Sequence, residues 1–149
     1  MEIKIKKILP ADVFVSANNP ELADVELWKG ASINRWGNRV SGNEFIDIFA
    51  NLIRRYKIRS MPFYAKKMGM QAYELSTIIK VSSGISSASW AIEYLTLEAC
   101  DLLENTNKSI EEVGRILNFT PSAFCQFFVR NKKCSPTEWR MLKRCPGGG

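Results

Sequence analysis

The sequence predicts an all-α protein with two short helix–turn–helix units, one on each side of a longer connecting helix, preceded by a short arm. Three observations predict it. From Asn43 onward, apolar residues recur at three- and four-residue steps with no sustained two-residue alternation. Residues 109–140 repeat the order of elements found in residues 61–84 and the helix after them: short helix, Gly or Asn turn, second helix, closing turn. Ser, Asn, Gly and Pro stand where such helices need caps and breaks.

The elements follow in order. In residues 1–42, Ile3 and Ile5 alternate with Lys4 and Lys6, a hint of a short strand, and Val13-Phe14-Val15 is a second strand candidate. Asn18-Asn19-Pro20 is a turn signal. This stretch is too short for a β-barrel sensor domain of ordinary size, and is expected to pack as an arm on the domain or on a second subunit. Asn43 caps a first helix whose stripe is Phe45, Ile46, Phe49, Leu52, Ile53 and Tyr56. Lys57-Ile58-Arg59-Ser60 breaks it. Ser60 caps a second helix with Pro62 in its first turn, and Gly69 ends it. A third helix spans about 72–81 with Leu75, Ile78 and Ile79 inward, closed by Gly84.

The connecting helix spans about 87–104, apolar on more than one face, as a helix joining two lobes must be. Ser109 and Glu112 form a capping-box signature for a short helix buried through Val113, Ile116 and Leu117. A further helix starts near Ser122, and Ser135-Pro136 starts the last one, through Trp139 and Leu142. Phe119, Phe124, Phe128 and Trp139 occupy the large core positions of this second unit. Seven helices are thus expected after residue 42, giving an arm at 1–42, a helical domain at 43–145 and a tail at 146–149.

Composition bounds the function. Hydrophobic content of 46% and charged content of 24% over 149 residues allow a core without covalent staples. The net charge of +6 favours a polyanionic partner, and six Lys or Arg between Arg130 and Arg144 face only Glu138. There is no histidine, so no Ser-His or Cys-His dyad can form, and no Gly-rich phosphate loop is present; an enzyme is not expected. Cys100, Cys125, Cys134 and Cys145 have no CxxC spacing, so no metal is expected. Cys125 and Cys134 read either as redox-sensitive thiols or as small semi-buried side chains. No apolar run reaches the roughly 18–20 residues of a membrane span, and a reduced, cytoplasmic protein without a cofactor is the simplest account.

Ser109-Ile110, Val113-Gly114, Leu117, Phe119, Ser122, Phe124, Phe128, Ser135-Pro136 and Trp139-Arg140 together resemble the second half of an AraC-type DNA-binding domain. Ala65, Met68-Gly69, Leu75, Lys80 and Gly84 fall in step with its first half, so the resemblance covers about residues 43–145. It implies a bihelical, homeodomain-like array that regulates transcription by binding duplex DNA, without the N-terminal sensor domain of many members. RNA polymerase and a second copy of the chain, joined through residues 1–42, are further candidate partners. The chain departs from the family pattern at Asn118, where Gly is usual, in a turn one residue shorter, at Lys133 near another usual Gly, and at Val129, where a phosphate-binding Lys is common.

The resemblance places the second helix of each unit in the major groove. In the first, Tyr73, Ser76 and Thr77 are base-reading candidates and Lys80 a phosphate candidate; in the second, Ser122 and Gln126 are base readers, Gln126 through an amide that fits adenine. Lys66, Lys67, Arg130, Lys132, Lys133, Arg140, Lys143 and Arg144 complete the phosphate set. The same residues also read as a solvated helix face, and Tyr73 equally as packing between lobes. Neither recognition helix has an Arg in its first two turns, so A·T-leaning contacts and reliance on phosphates and DNA shape are expected. The alternative is an AraC-like domain that has lost DNA binding and serves as a protein-interaction module, a reading favoured by Val129, the short turn and acidic Glu74.

Overall fold

The computed structural model describes residues 7–18 and 33–144. Its described residues form eight helices: α1 (Pro10–Val13), α2 (Glu44–Tyr56), α3 (Met61–Lys67), α4 (Ala72–Ser83), α5 (Ser87–Asn105), α6 (Ile110–Ile116), α7 (Pro121–Lys132) and α8 (Pro136–Arg144). The seven expected helices are α2 to α8. The pairs α3–α4 and α6–α7 are the two helix–turn–helix units, and α5 joins them. An isolated bridge between Ile33 and Arg39 is the one strand-like pairing among the described residues.

Caps explain most of the boundaries. The Asn43 carboxamide oxygen accepts from the amides of Phe45 and Ile46 at 3.0 and 3.2 Å. Ser60, Ser86, Ser109 and Thr120 each accept from an amide two or three residues into the helix that follows. Only the Ser109 half of the anticipated capping box forms. Helix α4 runs two residues past the expected end at 81, to Gly84 at φ +84°, and Gly69 takes φ +71° in the first turn. Helix α7 starts one residue before Ser122, because Thr120 is the cap and Pro121 fits the first turn.

The two lobes share one apolar core built along α5. Trp90 is fully buried, stacked on Tyr94 and tilted against Phe49 at 5.5 Å between centroids. Burial of each such side chain contributes about 1.5–3 kcal/mol. In the second lobe Phe124 and Phe128 are fully buried, while Phe119 and Trp139 are half-buried against them. Ile78, expected inward, is half-buried; Leu75 and Ile79 carry the buried face of α4.

The Val13-Phe14-Val15 strand is not formed. Pro10 starts a helical turn there, and the Asp12 carboxylate accepts from the Leu9 amide at 2.8 Å. Val13 and Val15 are buried against the helices rather than paired with a strand. The Ile3/Ile5 candidate lies outside the described residues. Residues 7–18 lie on the same chain's first lobe and connecting helix. The Ile8 amide donates to the Ser82 carbonyl at 2.9 Å, and Trp90 Nε1 donates to the Ile8 carbonyl at 3.0 Å. Arg54 Nη2 donates to the Val15 carbonyl at 2.6 Å. Asp101, buried on α5, accepts from the Ser16 hydroxyl, the Ala17 amide and the Asn18 carboxamide.

Candidate nucleic-acid interface

The outward faces of α4 and α7 follow from which residues the core takes. Leu75 and Ile79 hold one side of α4, which leaves Tyr73, Ser76, Thr77 and Lys80 exposed on the other. Tyr73 is 72% exposed, so it does not pack between the lobes. The Thr77 hydroxyl donates to the Tyr73 carbonyl at 2.9 Å. Glu74 is tied locally, accepting from the Gln71 amide at 3.1 Å.

On α7, Phe124 and Phe128 fix the phase and leave Ser122, Gln126 and Arg130 exposed. Cys125, Val129 and Lys133 share that outward face with Gln126 and Arg130 around a shallow depression. Val129 is 44% exposed and adds an apolar patch where a cation was the family expectation. Lys133 sits at φ +63°, the left-handed position that ends α7, and its ammonium donates to the Arg130 carbonyl at 2.9 Å. That departure from glycine is accommodated by the backbone.

The phosphate candidates divide into two kinds. Lys66 and Lys67 are exposed on α3, Lys67 lying 5.3 Å from the Tyr56 ring centroid and 5.6 Å from that of Phe63. Lys132 and Lys143 flank the Trp139 ring at 5.0 and 4.6 Å. These ammonium groups rest on aromatic faces, which orders them without using up their donors. Arg140 and Arg144 are placed differently. Arg140 Nε donates to the Leu103 carbonyl at 2.9 Å, and Arg144 donates to the Thr106 carbonyl and, at 3.1 Å, to Asn107. Both guanidiniums cap the carboxyl end of α5, where cations complement the helix dipole. Burial there, with Arg144 alongside, lowers the Arg140 pKa from its ordinary value.

Two seam residues lie outside the sequence-derived set. Asn118 adopts φ +64° in the second turn, and its carboxamide donates to the Tyr56 and Lys57 carbonyls at 2.9 and 3.1 Å. It therefore ties the second turn to the end of α2, across more than sixty residues of chain. Beside it, the Arg59 guanidinium lies 3.8 Å from the Phe119 ring centroid. The sequence showed Asn118 as a residue tolerant of a left-handed backbone; no local signal marked the carbonyls it would reach. Lys57 itself is left-handed, at φ +53°, and pairs with the buried Glu98 carboxylate of α5. Burial raises the Glu98 carboxyl above the ordinary carboxylate range, with the Lys57 charge opposing the rise.

Residues 64–141, just over half of the 149-residue chain, match the family described as a helix-turn-helix domain. This chain belongs to the AraC-type helix-turn-helix family. The AraC-type fold is shared with solved structures at low identity. The C-terminal domain of AraT, a response regulator from Geobacillus stearothermophilus, is 20% identical over 68% of this chain and 88% of its own, with a TM-score of 0.62. The C-terminal domain of the two-component response regulator yesN from Fusobacterium nucleatum is 18% identical over 66% of this chain and 99% of its own, with a TM-score of 0.60. The DNA-binding domain of AdpA, a global transcriptional factor solved in complex with a target DNA, is 22% identical over 71% of this chain and 97% of its own, with a TM-score of 0.62. No curated protein sequence matches the chain.

Among the described residues no group of His, Cys, Asp and Glu is arranged to hold a metal ion, and no helix is long and apolar enough to cross a membrane. The candidate interface is made of polar and cationic side chains, the base-reading candidates standing exposed on α4 and α7.

Proposed function

We propose that this AraC-type chain binds duplex DNA in a sequence-dependent way and regulates transcription. The observation that carries this reading is the pair of helix–turn–helix units on one connecting helix. Each presents a second helix whose outward residues the core does not need. Helices α4 and α7 would enter successive major-groove segments about one helical turn (~34 Å) apart. Tyr73, Ser76, Thr77, Ser122 and Gln126 would face base edges, with Gln126 suited to adenine and the Thr77 methyl to thymine. Lys66, Lys67, Lys80, Arg130, Lys132, Lys133 and Lys143 would meet phosphates. Arg140 and Arg144 already serve α5 and would contribute mainly through their charge.

Fluorescence-anisotropy titration with duplex DNA across a salt series tests this, beside Lys80→Glu/Arg130→Glu, which reverses one exposed cation on each recognition helix. The expected result is binding that weakens steeply with salt, the slope of log K against log salt becoming shallower by roughly 1.8 in the variant. Absence of binding by the wild-type protein at low salt would overturn the proposal and direct attention to a protein partner.

A further inference from the structure

Between the lobes, a cavity of about 320 Å³ opens beside α7, lined by Arg59, Ile92, Phe119, Gln126, Phe127 and Arg130. Its walls come from both lobes and from the connecting helix. Two of its residues, Gln126 and Arg130, belong to the outward face of the second recognition helix. The remaining cation, Arg59, belongs to neither recognition helix. It lies in the loop between α2 and α3, exposed at its tip, with its guanidinium over the Phe119 ring.

The seam is closed at this point rather than loose. Asn118 holds the second turn to the Tyr56 and Lys57 carbonyls, two residues before Arg59. Lys57 is in turn anchored to Glu98 of α5. These contacts hold the loop that carries Arg59 against the second turn, next to the start of α7. Among the described residues no ion pair engages Arg59 or Arg130, whereas the pairs present are Lys57 with Glu98 and Arg115 with Glu111. A guanidinium stacked on a ring keeps its in-plane N–H groups free and loses little entropy on binding.

We infer that Arg59 is a specificity-determining DNA contact that enters the minor groove midway between the two recognition helices. This rests on the reading of α4 and α7 as major-groove helices. If they occupy major-groove segments one turn apart on one face of the duplex, the groove facing the protein between them, roughly five base pairs from each, is the minor groove. The seam is the part of the protein that spans that interval. A narrow, A·T-rich minor groove concentrates negative potential and attracts arginine, which sheds water more readily than lysine. The recognition helices lack early arginines, so this contact supplies selectivity at bases that neither helix touches.

The test uses the intact chain and a duplex that the wild-type protein recovers from a random pool. The central five base pairs or so, half a turn, are replaced by A·T, G·C or inosine·C pairs, inosine·C presenting an A·T-like minor groove. Wild-type protein is expected to bind the A·T and inosine·C spacers about tenfold more tightly than the G·C spacer. Arg59→Ala should bind all three alike, and Arg59→Lys should keep most of the salt dependence while losing most of the preference. Circular dichroism checks that both variants fold. If the wild-type protein binds but shows no spacer preference, or if Arg59→Ala retains it, the seam assignment falls while the DNA-binding reading stands. If the wild-type protein recovers no duplex at low salt, the DNA-binding reading falls and takes this inference with it.

Discussion

Asn118 combines two separable physical effects, and two substitutions divide them. Its left-handed backbone at φ +64° is uncomfortable for a residue with a Cβ, by about 1–2 kcal/mol for an ordinary side chain. Against this, its carboxamide makes two hydrogen bonds, at 2.9 and 3.1 Å, to the last carbonyls of α2. Each contributes about 0.5–1.5 kcal/mol net, and water can reach the freed carbonyls, so the pair is worth about 1–2 kcal/mol. Asn118→Gly removes the clamp but relaxes the backbone, for a net loss of about 0.5–1.5 kcal/mol. Asn118→Ala removes the clamp and meets the full left-handed penalty, for a loss of about 2–4 kcal/mol. Equilibrium urea denaturation reads both values. The gap between Ala and Gly measures the left-handed backbone penalty, and the gap between Gly and wild type measures the clamp less the strain that glycine relieves. A Gly variant as stable as wild type would refute a clamp that outweighs the backbone strain at Asn118.

Three further outcomes are expected. A Cβ at Gly114 would stand 2.9 Å from Phe124 Cβ and 3.1 Å from its Cγ, atoms too near the backbone to swing aside. Overpacking of about 1–3 kcal/mol then outweighs the ~1 kcal/mol gain in helix propensity. Gly114→Ala should therefore melt a few degrees lower, and a higher melting temperature would show that α6 and α7 separate freely. The Glu98 carboxyl is raised by burial, so the folded chain holds its proton more tightly than the unfolded one. Stability from this group grows as pH falls through the raised folded value and levels off below the unfolded value of about 4.3. Glu98→Gln should remove that segment of the pH–stability curve, and an unchanged curve would refute burial as its cause. Burial pushes the Cys100 thiol up to about 12, whereas Cys125 is exposed on α7. Maleimide labelling near neutral pH, mapped by mass spectrometry, should modify Cys125 in the native protein and Cys100 only in denaturant; early Cys100 labelling would show that α5 opens locally.

Much of the helical layout was legible because local chemistry repeats it. Asn43, Ser60 and Ser109 are side-chain acceptors at helix starts, and Gly69 and Gly84 supply left-handed stops. The outward faces of α4 and α7 were legible for the same reason: Leu75 and Ile79, or Phe124 and Phe128, define by spacing what must point the other way. The arm was not legible. Val13 and Val15 alternate as a strand would, but their burial is supplied by α5 and α2, which lie far along the chain. That Arg140 and Arg144 cap the end of α5 was not legible, because a run of cations carries no mark of the carbonyls it will meet.

The sequence by itself determined that the chain is helical, where most helices start and stop, that two similar units flank a connecting helix, and which residues of α4 and α7 the core leaves outside, whereas Phe45 and Ile116, expected on apolar faces, stand exposed. These depend on interactions within a few residues, where spacing fixes geometry. Only the tertiary structure decided how the lobes meet: Asn118 on the end of α2, Arg59 on Phe119, Lys57 on Glu98, and residues 16–18 on Asp101. Each joins groups more than forty residues apart, by two or three hydrogen bonds, a ring face or a charge pair. No periodicity encodes such pairings, because they exist only once the folded core has set the distance between their partners.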